Sequence, residues 1–283
     1  FFPTGSMANQ AAIKMHTQPS EQLIADKWAH VYNYEGGGVS FNSGVSCKLI
    51  DGHRGMITAG QVAENINPPD FYHSPLTSLV CLENTTNKGG GACYDFSEIE
   101  KIRKVCNDHN LDGARVWNAL VAKKEDPKDY GKIFDTVSVC LSKGLGTPMG
   151  SVLIGKKEIM QKAMRIRKVL GGGMRQIGFM AAAGIYALDN QIERLAEDHK
   201  KAFEIAEVLS QQQFVKKVEP TETNIVIFYL AEEISEEKFM NDLLQKNIKI
   251  SAMGQGKLRI VTHLDYTNEM HETFLKTLTE YPT

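Results

Sequence analysis

At 283 residues the chain is about two domains long by the usual ~150 residues per domain, and 42% apolar residues suffice for a sizeable core. Its 32 Lys and Arg against 34 Asp and Glu leave a formal charge of -2, which argues against a basic nucleic-acid-binding module or an anionic membrane surface as partner. Cys47, Cys81, Cys93, Cys106 and Cys140 are odd in number and include no C-x-x-C pair, so neither a disulfide framework nor a zinc site is signalled. With no run near the ~18 apolar residues of a membrane helix and no basic-then-apolar leader, the chain reads as a cytosolic protein with reduced thiols and no metal.

The opening, Phe1-Phe2-Pro3-Thr4, lacks an initiator Met and reads as the tail of an apolar strand entering a Gly turn, so further residues are expected to precede it. Short β-rich runs then alternate with amphipathic helices, the pattern of an α/β fold with a largely parallel sheet. Strands are predicted at Gln22 to Ala25, Val45 to Ile50, Ser78 to Glu83, Asp135 to Leu141, Ser151 to Gly155, Asn224 to Tyr229, Ile248 to Ser251 and Lys257 to Val261. Asp95 with Glu98 three residues on reads as a capping box, opening a helix with Ile99, Ile102, Val105 and Cys106 on one face. That helix ends near His109-Asn110, leaving only Leu111 before Asp112. An α/β sheet needs roughly five residues of strand there, so the chain reads as interrupted between Asn110 and Leu111. From Gly178 to Leu209 the sequence is Ala-, Leu- and Glu-rich without Pro, predicting one or two long helices that join a large domain, 1–197, to a smaller C-terminal domain, 198–283.

The chemistry-bearing residues follow the same order. Gly5 and Ser6 stand at a strand-to-helix turn, where backbone N–H groups and a hydroxyl suit a phosphate; an ordinary Ser-capped helix has the same residues. His30, ahead of Gly36-Gly37-Gly38, can stack on a planar ring or serve as a hydrogen-bonded structural histidine. His73 is a second acid–base candidate, because histidine titrates near neutrality. Asp112, with Arg115 three residues on, can hold a pyridine nitrogen protonated or cap a helix. Lys143 follows an apolar strand and precedes Gly144 and Gly146, a place for a lysine nucleophile or a surface lysine. Arg259 lies inside an apolar strand and needs an anion, which a substrate carboxylate or an internal salt bridge would supply. A phosphate cradle, a ring-stacking His, a strand-end Asp, a strand-end Lys and a C-terminal Arg together specify pyridoxal 5'-phosphate.

The chain also resembles the low-specificity L-threonine aldolases of the β-eliminating lyase group, within the fold-type I pyridoxal-phosphate enzymes (the aspartate-aminotransferase-like α/β fold). The resemblance runs from Pro3 to about Asp265. It is most specific in Cys81-Leu-Glu-Asn-Thr85, Asp112-Gly-Ala-Arg115, Cys140-Leu-Ser-Lys-Gly-Leu145, Leu170-Gly-Gly-Gly-Met-Arg-Gln176, Arg194-Leu-Ala-Glu-Asp-His199 and Arg259-Ile-Val-Thr-His263. It implies a mainly parallel sheet flanked by helices, a smaller α+β domain, and retro-aldol cleavage of L-threonine or L-allo-threonine through a Schiff base on Lys143. It also implies that Gly5 and Ser6 bind phosphate, His30 stacks on the ring, Asp112 pairs with the pyridine nitrogen and Arg115 contacts the cofactor. Arg259 would bind the substrate carboxylate and His73 would lie near the substrate hydroxyl. Lys168 and Arg175 would come close to the site from a neighbouring subunit, so a homodimer or homotetramer is implied. Leu76 stands where the family has Arg, and Thr86 where it often has His. Those departures leave room for a phenylserine-type aldolase, a β-eliminating lyase on other amino acids, or a non-catalytic relative.

Overall fold

The computed structural model describes residues 1–109 and 117–282. It divides into two compact units: residues 1–89 with 93–192, and 90–92 with 193 onward.

Unit 1 opens with α1 (Gly5–His16), whose N-cap Thr4 accepts the Met7 N–H on its hydroxyl. The alanine-rich face of this helix, Ala8, Ala11 and Ala12 with Met15, packs with Phe2, Leu153 and Ala163. There follow β1 (Gln22–Asp26), α2 (His30–Asn33), a π-helical turn (Val39–Ser43), β2 (Ser46–Ile50) and α3 (Ala59–Asn65). Next come β3 (Thr77–Cys81), α4 (Phe96–His109), α5 (Trp117–Lys123), α6 (Pro127–Ile133) and β4 (Thr136–Cys140). The unit closes with β5 (Ser151–Gly155), α7 (Lys157–Val169) and α8 (Gly178–Asn190). All five residues of β1 are buried, as expected of a strand covered on both faces.

Strands β2-β1-β3 form a parallel sheet, whereas β4 pairs antiparallel with β5, and Phe2 bridges to Ser151 on the other side of β5. Among the described residues no strand joins β3 to β4. Apolar cavities open on both faces of that break. Leu79, Cys81, Thr136 and Ser138 line one beside α1, and Val80, Leu82, Ile102 and Ile133 line the other beside α4. The stretch where the sequence is too short for a strand ahead of Asp112 lies outside the described residues.

Ile99, Ile102 and Cys106 of α4 are buried against Val80 and Val137. Glu98 does not cap its own helix. Its Oε1 accepts the Ala59 N–H at 2.8 Å, serving the first turn of α3, and that bond holds its carboxyl below the usual carboxylate range. α3 has its own capping box, built from Thr58 and Gln61.

In unit 2, α9 (Leu195–Ser210) and α11 (Asn268–Thr279), with α10 (Glu236–Gln245), cover an antiparallel sheet of order β6-β7-β9-β8. Its strands are Val215–Val218, Ile225–Leu230, Ser251–Gly254 and Lys257–Val261 for β6, β7, β8 and β9. The Gly178–Leu209 stretch is two helices, broken at 191–194. The units divide at that break, ahead of Asp198, because the inner face of α9 (Ala202, Ile205, Leu209) belongs to the core around Phe214, Phe228 and Phe239. Among the described residues no helix is long and apolar enough to cross a membrane.

His199 is buried on α9, and desolvation pushes its imidazole down to about 4. The unfolded chain therefore takes up a proton below about 6.5 that the folded state refuses until about 4, so stability is lost as pH falls across that window, on the order of 2 kcal/mol. Urea unfolding between pH 7 and 4 should show this loss for unit 2 and a flatter profile for His199→Gln; an unchanged slope in the variant would contradict the assignment.

Candidate active site

The first turn of α1 lies against the end of β4. A Cβ on Gly5 would stand 2.8 Å from Cys140 Sγ, so only glycine lets the helix approach this closely. Cys140 Sγ is in turn 3.3 Å from Ser151 Oγ, and Ser151 is paired with Phe2 through two backbone hydrogen bonds. Gly5 thus answers first to helix–sheet packing. The hydroxyl of Ser6, half-buried beside it, has no hydrogen-bond partner among the described residues and accompanies the outward-facing N–H groups of a helix start.

Three residues beyond Cys140, Lys143 sits exposed at the carboxyl end of β4, in a turn closed by the Gly146 N–H donating to the Lys143 carbonyl at 2.8 Å. Unit 1 therefore places the helix start and the lysine turn at one end of β4.

His30 opens α2 just beyond β1 and is held twice. Its backbone N–H donates to Glu83 Oε2 at 2.8 Å, and its Nδ1 lies 2.9 Å from Glu35 Oε1. Glu83, buried after β3, also accepts the Asn87 N–H at 2.9 Å. Glu35 takes Asn9 and Gln10 of α1, each at 2.7 Å. Asn9 and Gln10 are three and four positions after Ser6, hence one turn along the same helix face, about 5 Å of rise. His30 lines the cavity beside α1 together with Asn9, Cys81, Glu83 and Ser138. Below it, buried Asp26 ends β1 by accepting the Trp28 and Gly52 N–H groups, and desolvation raises its carboxyl above the usual range. Glu35 and the hydrogen-bonding role of Glu83 escaped the sequence reading. The one available signal was an amide pair, Asn9-Gln10, on an otherwise alanine-rich helix.

His73 is on an exposed loop, its ring against Tyr72 (4.0 Å between centroids) and Phe71 (5.3 Å). Leu76 on that loop is exposed. Thr86 is buried, donates to the Arg54 carbonyl at 2.9 Å, and lies close enough to Gly55 and Gly89 that a Cβ at either would crowd it. Lys168 and Arg175 are exposed on either side of the triple glycine. A Cβ on Gly172 would collide with Met7 Sδ, so this loop rests on the first turn of α1. Arg259 is half-buried in β9 of unit 2, in register with Ile227 and Ser251. Asp112 and Arg115 fall outside the described residues.

The donor set of unit 1 fits pyridoxal phosphate: a helix start with a spare hydroxyl for the phosphate, an imidazole for the ring, and a lysine amine at a strand end for the aldehyde.

A profile of the β-eliminating lyase family matches residues 1–233. The chain is 36% identical over 287 residues to low-specificity L-threonine aldolase 1 of Arabidopsis thaliana, covering 96% of this chain and 79% of that one. It is 37% identical over 274 residues to the low specificity L-threonine aldolase of Escherichia coli, covering 95% and 80%. The chain belongs to the β-eliminating lyase family. Among solved structures it superposes on a threonine aldolase of Leishmania major with a TM-score of 0.82 at 20% identity, over 98% of this chain and 82% of that chain. A histidinol-phosphate aminotransferase of Clostridium acetobutylicum shares the fold with a TM-score of 0.67 at 17% identity, over 98% and 81%. The fold is fold-type I, with an antiparallel β4–β5 pair beside its parallel strands.

This family member should not tolerate a side chain at Gly5. Gly5→Ala should cost about 1–3 kcal/mol, and adding Cys140→Ala should recover most of it by vacating the space the Cβ needs. A thermal-unfolding double-mutant cycle measures this, and additive costs would show that the two positions do not meet.

Proposed function

We propose that the chain is a pyridoxal-phosphate-dependent carbon–carbon lyase that cleaves L-threonine and L-allo-threonine to glycine and acetaldehyde by a retro-aldol reaction. The observation that carries this reading is 36–37% identity, over nearly the whole chain, to curated low-specificity L-threonine aldolases.

When bound, pyridoxal phosphate supplies an aldehyde that condenses with amines and a ring that accepts the electron pair of the breaking Cα–Cβ bond. Lys143 would hold the cofactor through its side-chain amine. Ser6 and the α1 start receive the phosphate. His30 bounds the ring, and Asp112 with Arg115 takes the pyridine nitrogen and neighbouring cofactor atoms. Arg259 takes the substrate carboxylate in its planar fork, which sets the Cα–Cβ bond for cleavage. His30 accepts the β-hydroxyl proton as the carbonyl of acetaldehyde forms, and a proton returned to Cα completes glycine. By its likeness to the family, His73 would come near the substrate hydroxyl, and Lys168 and Arg175 would reach the site of a second subunit.

Self-association as a homodimer or homotetramer is supported by the outer side of α8, where Phe179, Ile185 and Tyr186 are 76%, 62% and 63% exposed. Cytoplasmic residence is supported by five cysteines that are thiols rather than disulfides.

Incubation with L-threonine should release acetaldehyde and glycine in equal amounts. Lys143→Ala should lose activity at least about 10³-fold while keeping its circular dichroism, and Arg259→Ala should mainly raise KM for threonine. Substantial turnover by Lys143→Ala would contradict the lysine assignment. Release from phenylserine, or from cysteine by elimination, with none from threonine would replace the substrate class while keeping the fold.

A further inference from the structure

The Glu35 side chain is 0% exposed, against 22% for the His30 side chain it meets. Three nitrogens converge on its two oxygens, Asn9 Nδ2 and His30 Nδ1 on Oε1 at 2.7 and 2.9 Å, and Gln10 Nε2 on Oε2 at 2.7 Å. The Gln10 amide is oriented from its other end, where its Oε1 accepts Asn42 Nδ2 at 3.4 Å, so its NH₂ side faces Glu35. An ionised carboxylate only accepts, and it satisfies all three donors; a protonated acid would set its own hydrogen against one of them. Donors in place of water are also what a wholly buried carboxylate requires. The shared proton of the His30–Glu35 contact therefore belongs on Nδ1. A neutral imidazole protonated on Nδ1 keeps its lone pair on Nε2.

We propose that Glu35 is a positioning residue that fixes His30 as its Nδ1–H tautomer, leaving Nε2 as the proton-accepting atom of a histidine that lines the cavity beside α1. Glu83 holds the backbone of His30 while Glu35 holds its ring, so position and tautomer are set separately. The device links sites as well: Asn9 and Gln10, which anchor Glu35, belong to the helix whose start carries Ser6. Sequence separation hides the unit, since Asn9 and Glu35 are 26 positions apart. The catalytic consequence rests on the threonine-cleavage reading, whereas the tautomer itself does not.

Long-range ¹H–¹⁵N spectra of the full chain with labelled histidine, with and without pyridoxal phosphate, read the tautomer at neutral pH; loss of one set of signals in His30→Gln assigns them. The wild type should show Nδ1–H. Glu35→Gln should shift His30 toward Nε2–H or a mixture and lower kcat for threonine about 10–100-fold with KM within about twofold, and Glu35→Asp should restore most of kcat. An Nε2–H tautomer in the wild type overturns the proposal even if Glu35→Gln fails to fold. So does a Glu35→Gln protein whose tautomer is unchanged, or one whose tautomer moves while kcat does not. A chain that cleaves no β-hydroxy amino acid contradicts the preceding reading, and the tautomer spectra then decide this one alone.

Discussion

The close approach of α1 to the end of β4 is the contact on which the arrangement of unit 1 depends. Gly5 lies against Cys140, Cys140 against Ser151, and Ser151 against Phe2, so the helix start is wedged between two strands and the chain's first residues. From that one anchored helix three things are set: the N–H groups and hydroxyl at its start, the lysine turn beside it, and one turn further along the amides that grip Glu35 and through it His30. A helix is stiff over this length, so fixing its first turn fixes the rest. Helices packed on glycine against a sheet give a rigid base for groups that must hold a ligand to fractions of an ångström.

Much of the fold was legible because period and composition report burial directly. The strands Ser151–Gly155 and Lys257–Val261 lie where their apolar runs place them, and α4 buries the face its spacing indicates. The readings that shifted did so for tertiary reasons. Ile248 to Ser251 reads as a strand, yet pairing begins at Ser251, because Ile248 and Ile250 pack into the core ahead of the hairpin with β9. Val215–Val218, with two lysines in its middle, escapes an apolar pattern and forms an edge strand through its backbone. Glu98 satisfies a neighbouring helix, a partner no local motif reveals.

The site was legible at its ends and hidden at its centre. Lys143 and Gly5 carry local signatures, a strand-end lysine and a strand-to-helix glycine. Glu35 does not, since its meaning comes from donors contributed by another helix. Thr86 is buried beside two close glycines, a setting that no local pattern announces.

The central claim is that α1, the Lys143 turn and His30 together form a seat for pyridoxal phosphate. Titrating the purified chain with that cofactor, reducing with borohydride and mapping the peptides by mass tests it most directly. The account predicts a saturable visible band, bleached by borohydride, with a pyridoxyl group on Lys143 and on no other lysine. Labelling spread over several surface lysines, or no saturable band, would contradict it.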